Sequence, residues 1–307
     1  MVTSDPYDAV PGLRLVQDAA ASGDWPRVDE LLRTVRDEQD LTFVLGRVAG
    51  VAGVEACLQR AVAGRPDDAL AQTALAYRYV VVGWEVRSSQ RANHVSREQF
   101  EEFHAWLGAA ERLLIDVCAV HPEFTPAWSV RLMTARGLEL GTSEARRRMD
   151  RLARHHDHHY PAQAQLLQQL CPKWGGSWEA AHGFARLALD VAPPGSHSGA
   201  LVPDAHVEQW LELGGGDKGA EHLRTAEVRE AIVDAARRSV LHPDYEPGLL
   251  GLGAHSMFAL ALSLGGHHAD AAPHYRYLGD RYWGTSWQYL NDPDQKFAEY
   301  REQALAA

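Results

Sequence analysis

Apolar residues recur at three- and four-residue spacing along nearly the whole chain, with no sustained period-two alternation, so the pattern predicts helices throughout. Leu13, Val16 and Ala20, then Val28, Leu31, Leu32 and Val35, form a short helical pair broken at Ser22-Gly23-Asp24. One stretch runs from Leu41 to about Val62 and another from Ala69 to Val86, divided by Gly64-Arg65-Pro66-Asp67-Asp68. Ser96-Arg97-Glu98-Gln99 reads as a capping box: the hydroxyl accepts from the third helical amide and the glutamine reaches back to the cap. The helix it opens, Phe100 through Val120, should stop at His121-Pro122, because proline disfavours helical geometry in the residue before it. Further helices are predicted over 125–140, 143–157, 161–170, 177–191, 199–213, 225–241, 246–264 and 268–282, with a tail helix over 293–305. The expected fold class is all-α, about a dozen helices stacked as antiparallel hairpins.

A degenerate repeat lies over this pattern. Gly23-Asp24-Trp25…Val28…Leu32, Gly176-Ser177-Trp178…Ala181…Ala185 and Gly266-His267-His268…Ala271…Tyr275 share one spacing of glycine, ring, small residue and seam residue. Glycine permits the backbone that ends one helix, and the small residue lets the next helix approach closely. A second phrase marks the turns between hairpins: His121-Pro122-Glu123-Phe124-Thr125-Pro126, His242-Pro243-Asp244-Tyr245-Glu246-Pro247 and the shorter His159-Tyr160-Pro161.

These phrases resemble the tetratricopeptide-repeat proteins, and the best match is 252–285, with Ala259, Gly266, Ala271 and Tyr275 at the family's positions. The glycines do not keep the thirty-four-residue period of that family, and no proline closes the third unit. The pair Lys173-Trp174-Gly175-Gly176-Ser177-Trp178 and Ala205-His206-Val207-Glu208-Gln209-Trp210 resembles a family of uncharacterised bacterial helical-repeat proteins, a domain of unknown function. That resemblance implies a helical fold and carries over no activity. The expectation is one helical-repeat domain over 1–307, a TPR-like α-solenoid or superhelix, with a soft boundary near 88–96 and a flexible loop over 214–219.

Composition narrows the function classes. With 307 residues, 46% hydrophobic and 23% charged, the chain is long and apolar enough to build a core without disulfide or metal staples. Its net charge of −11 argues against general nucleic-acid or anionic-membrane binding, both of which rely on basic surface. No run approaches eighteen apolar residues, and the first residues lack a basic stretch followed by an apolar one, so neither a membrane span nor a secretory signal is expected. Cys57, Cys118 and Cys171 are scattered and odd in number, which fits a reducing cytoplasm. Arginine greatly outnumbers lysine (Lys173, Lys218, Lys296), a bias that GC-rich codon usage accounts for.

Histidines and tryptophans carry the candidate chemistry. His155, His156, His158 and His159 form the densest patch, and on a helix His155 and His159 would share a face with His158 nearby. That spacing suits zinc; it equally suits a solvated, dipole-favoured helix end, since arginines crowd the same turn. A second constellation is His182, His206 and Glu208 with Trp174, Trp178 and Trp210, on helices expected to pair. There Glu208 would serve as general base and the imidazoles as proton shuttle or ligands, or else the rings simply wedge the hairpin. His255 could face His274 across the last hairpin, and the polar run from Arg87 to His94 could meet an anion. Gly214 to Gly219 with Lys218 lacks the phosphate-loop order, and no zinc-hydrolase HExxH, paired-cysteine or serine-elbow motif is present.

Two functional expectations follow. One is a binding or scaffold protein that captures a peptide, partner protein or small ligand on a concave face, with Trp174, Trp178, Trp210, Trp283 and Trp287 as anchors if exposed, and no cofactor. The other is an enzyme on a helical scaffold, using His206, Glu208 and His182 or the 155–159 cluster with zinc or a similar metal.

Overall fold

A computed structural model describes residues 2–10, 12–88 and 95–307. Residues 89–94, within the polar break and soft boundary noted above, lie outside the described residues. In chain order the helices are α1 (Pro6–Ala9), α2 (Leu13–Ala21), α3 (Trp25–Thr34), α4 (Glu38–Ala49), α5 (Glu55–Gly64), α6 (Ala69–Arg87), α7 (Arg97–Val120), α8 (Thr125–Gly137), α9 (Gly141–Ala153) and α10 (Tyr160–Leu170). They continue with α11 (Trp178–Val191), α12 (Leu201–Glu212), α13 (Gly216–Leu223), α14 (Ala226–Arg238), α15 (Gly251–Leu264), α16 (His268–Leu278), α17 (Gly284–Trp287) and α18 (Pro293–Ala306). The fold is all-α. Among the described residues the single β-type pairing is an isolated bridge between Thr3 and Arg281.

Contacts divide the chain into two compact units, one spanning Gly12–Gln169 and the other Leu170–Ala307 with the described residues before Pro11. In the first unit, α6, α7 and α8 meet where Gly83 and Gly137 leave room for the buried Phe103 and Leu107. Beside them a buried Glu111 carboxylate accepts from Arg131 at 2.7 Å, Arg148 at 2.9 Å and Thr134 at 2.5 Å. Such a network leaves no charge unpaired, the condition under which buried ions are tolerated. The capping box of α7 forms: Ser96 Oγ accepts from the Gln99 amide at 3.2 Å and Gln99 Oε1 accepts from the Ser96 amide at 3.0 Å.

The second unit centres on aromatic rings. Tyr275, Tyr282, Trp287 and Phe297 are buried together, with Tyr282 and Phe297 stacked at 4.8 Å. The chain's beginning is tied here, where the Thr3 amide donates to Asp280 O at 2.8 Å and Thr3 O accepts from the Tyr282 amide at 3.1 Å. Trp210 and Trp287, expected as binding anchors, are 3% and 0% exposed and belong to the core; Trp174, Trp178 and Trp283 are half-buried.

Several boundaries differ from the sequence reading. The stretch 41–62 is two helices, because α4 stops at Ala49 and the chain turns through Gly50 and Gly53, the latter at φ 80°. The helix expected from 246 starts at Gly251, after a turn containing Pro247 and Gly248. Residues 214–219, expected as a loop, form a tight turn and the first residues of α13. Gly214, Gly215 and Gly216 take φ of 97°, 63° and 52°, values that favour glycine, and turn the chain directly into α13. No helix among the described residues is long and apolar enough to cross a membrane.

Candidate metal centre

Ser177 caps α11 by accepting from the Ala180 amide at 3.1 Å. Ala181, Ala185, Ala188 and Leu189 then form its buried stripe, which sets His182 at the edge of that stripe. α12 follows the turn His197–Ala200 and is buried along most of its length, leaving His206 half-buried. The glycine turn after α12 reverses the chain, and α13 carries His222 in its last turn. Three successive helices therefore each contribute one imidazole.

The three rings converge. A ring nitrogen from each of His182, His206 and His222 lies within 4.8 Å of the others, and among the described residues this is the one group of three or more metal-type ligands so arranged. His206 Nδ1 and His222 Nε2 are 3.0 Å apart, and the ring centroids of His182 and His206 are 4.4 Å apart. His182 Nε2 lies 2.6 Å from Gln209 Oε1, and when it donates to that oxygen its Nδ1 lone pair is free.

Burial holds all three imidazoles neutral. It pushes the His206 pKa down to about 2, with neighbouring His182, His222 and Arg186 adding to the effect. His182 and His222 are lowered as well, again chiefly by burial. Neutral imidazole is the form that binds a metal, so these groups meet an ion without first losing protons. The N–H shared between His206 and His222 need only pass to the other ring nitrogen, a change of tautomer rather than of charge.

Glu208, two positions beyond His206, is engaged elsewhere. Its carboxylate accepts from Lys173 Nζ at 2.6 Å, and burial together with Glu208 pushes the Asp204 carboxyl up to about 8. Trp178 sits 6.0 Å from the His182 ring, so the constellation read from sequence is partly assembled: His182, His206 and Trp178 are together, while Trp210 packs under the glycine turn.

The 155–159 patch is not helical, because α9 ends at Ala153 and turns follow. His155 and His159 therefore do not share a helix face. His155 is exposed, His158 half-buried, and His159 is wholly buried with Nε2 3.2 Å from Thr42 Oγ1 and Nδ1 accepting from the Ala162 amide at 3.2 Å. His255 and His274 do meet, Nδ1 to Nδ1 at 3.1 Å.

No protein-family model matches the chain, and no curated protein matches it. The reading of the site therefore rests on its own geometry. The sequence pattern does not single out His222, because the glycine run before it interrupts the apolar period; the signal it carries is the helical spacing of Gly219, Ala220 and Leu223, which the fold buries.

Proposed function

We propose that this chain binds one first-row transition metal, zinc first, at His182, His206 and His222, and that the bound ion captures a small ligand at a coordination position left open. The observation that carries the reading is the convergence of three neutral imidazoles from three helices. Three histidines with a vacant fourth position are the donor set of catalytic rather than closed structural zinc sites. Imidazole nitrogens bind zinc at about 2.0–2.1 Å, so His206 and His222 would part by only a few tenths of an ångström to share an ion. The contact from Gln209 to His182 supplies the outer-shell hydrogen bond that orients such a ligand. A zinc ion held there would polarise a bound carbonyl or lower the pKa of bound water.

This reading keeps the expected binding role and places it on a tetratricopeptide-like scaffold. Supporting that scaffold, the seam positions of all three repeat phrases, Val28 and Leu32, Ala181 and Ala185, Ala271 and Tyr275, are at most 1% exposed. Gly23 and Gly266 have the positive φ the turns require. In the middle phrase that role falls to Gly175 at φ 84°, while a Cβ on Gly176 would lie 2.0 Å from Leu170 O.

The test is elemental mass spectrometry on protein purified without a polyhistidine tag, followed by competitive zinc titration of the wild type and of His182→Ala, His206→Ala and His222→Ala. About one equivalent of metal is expected, with each substitution weakening zinc by more than the roughly 10–100-fold that Gln209→Ala should cost as an outer-shell change. Absence of stoichiometric binding, or equal affinity in His206→Ala, would sink the proposal.

A further inference from the structure

A cavity of about 410 Å3 opens beside the turn that joins α12 to α13, and the metal reading makes no use of it. Its size lies within the usual range for small-molecule sites, about 300–1,000 Å3. Two kinds of side chain line it. Trp210, Tyr289 and Tyr300 present rings, with Tyr289 42% exposed and Tyr300 half-buried. Arg224 and Lys296 present cations, and Lys296 Nζ lies 5.8 Å from the centre of the Tyr300 ring.

The cations are weakly held. Arg224 meets the fully exposed Asp217 only at 3.7 Å, and Lys296 pairs with the half-exposed Glu299 three residues along its own helix. Exposed pairs of this kind contribute little, so an incoming anion can compete for both groups. The glycine turn is the cavity's third wall. It leads into the amino end of α13, which has no side-chain cap, and helix amino ends favour negative charge. Trp210 lines the cavity as a buried floor, 3% exposed, with its indole packed beneath Gly215 and Gly219.

We propose that this cavity is a second binding site, for a small molecule that joins a planar ring to an oxyanion. The ring stacks between Tyr289 and Tyr300 above the buried Trp210, and the phosphate or carboxylate meets Arg224, Lys296 and the open end of α13. Neither half suffices alone: an aromatic wall without cations would take neutral rings, and cations without rings would take bare anions. The glycine run lacks the phosphate-loop order; the cavity arises because Gly215 and Gly219 let the turn close onto the Trp210 indole.

The experiment is isothermal titration calorimetry with tryptophan fluorescence, using adenosine monophosphate, 1-naphthoate, adenosine and inorganic phosphate as probes. Phosphate and carboxylate headgroups are thereby distinguished. At least one ring-bearing anion should bind about tenfold or more tighter than adenosine and phosphate, each tenfold corresponding to about 1.4 kcal/mol. Arg224→Ala and Tyr300→Ala should each weaken it about tenfold or more, and both sites tolerate truncation because neither side chain is fully buried. His206→Ala should leave it unchanged, which separates this site from the metal centre. Equal binding of bare phosphate would show an adventitious ion only and overturn the proposal. So would the failure of both ring-bearing anions to bind, or binding that His206→Ala abolishes and Arg224→Ala spares.

Discussion

His159 shows what a single buried side chain does in this fold. With Nδ1 accepting from the Ala162 amide it caps the start of α10, and Nε2 lies 3.2 Å from Thr42 Oγ1. Burial, reinforced by His156, pushes its pKa down to about 3, against the weaker opposing pull of the Glu38 backbone and Asp37. A histidine whose folded pKa is depressed stabilises the fold fully above its unfolded value near 6.5, and that stability is lost as pH falls toward 3. His159→Asn keeps a capping oxygen and removes the titration. The variant should be less stable at pH 7, and its deficit relative to wild type should shrink by about 1.4 kcal/mol for each pH unit below 6.5. Urea melts at pH 7 and pH 4.5 measure this, and a constant deficit would mean that His159 titrates normally. The sequence drew attention to this histidine for zinc spacing. Its real partners, Thr42 and Ala162, depend on where α9 stops, which the arginine-rich pattern before it does not mark.

At the scale of elements, the boundaries set by local chemistry were legible and the others were not. The capping box at Ser96 and the proline stop at His121-Pro122 are local chemistry, and α7 opens and closes between them, from Arg97 to Val120. Breaks such as Gly50 to Gly53, or the conversion of 214–219 into a tight turn and α13, rest on the positive φ taken at Gly53 and at Gly214 to Gly216, which glycine permits but does not by itself require. Packing decides at other glycines, and two of them make it measurable. A Cβ at Gly137 on α8 would lie 2.2 Å from Leu107 Cδ2 and 2.8 Å from Phe103 Cζ, both buried. On α7, a Cβ at Gly108 would meet nothing closer than Arg112 Nη1 at 3.8 Å. Gly137→Ala should destabilise by about 1–3 kcal/mol through overpacking. Gly108→Ala should stabilise by about 0.5–1 kcal/mol, since alanine loses less backbone freedom in a helix than glycine. Chemical denaturation decides it, and the same sign for both would refute the packing account.

For the molecule as a whole, the two compact units make the effect of metal a local one. All three proposed ligands lie between Trp178 and Leu223 in the second unit, on helices joined by short turns. Two of the three, His182 and His206, were visible in sequence because their helices were; the third came only with the fold. An ion bound to the native state and not to the unfolded one stabilises it in proportion to the logarithm of its free concentration over Kd, about 2.7 kcal/mol at a hundredfold excess. Because the ligands span α11 to α13, that energy opposes the local openings that let amides exchange there. Hydrogen exchange read by mass spectrometry should therefore show zinc slowing exchange across 178–223. Little change is expected in α7, α8 and α9, whose core is the Glu111 network and the Phe103–Leu107 seam. His222→Ala should remove the protection while leaving exchange in the metal-free protein close to wild type, since its half-exposed ring fills little of the core. Uniform protection over the chain, or protection that survives in His222→Ala, would place the ion somewhere other than between these three histidines.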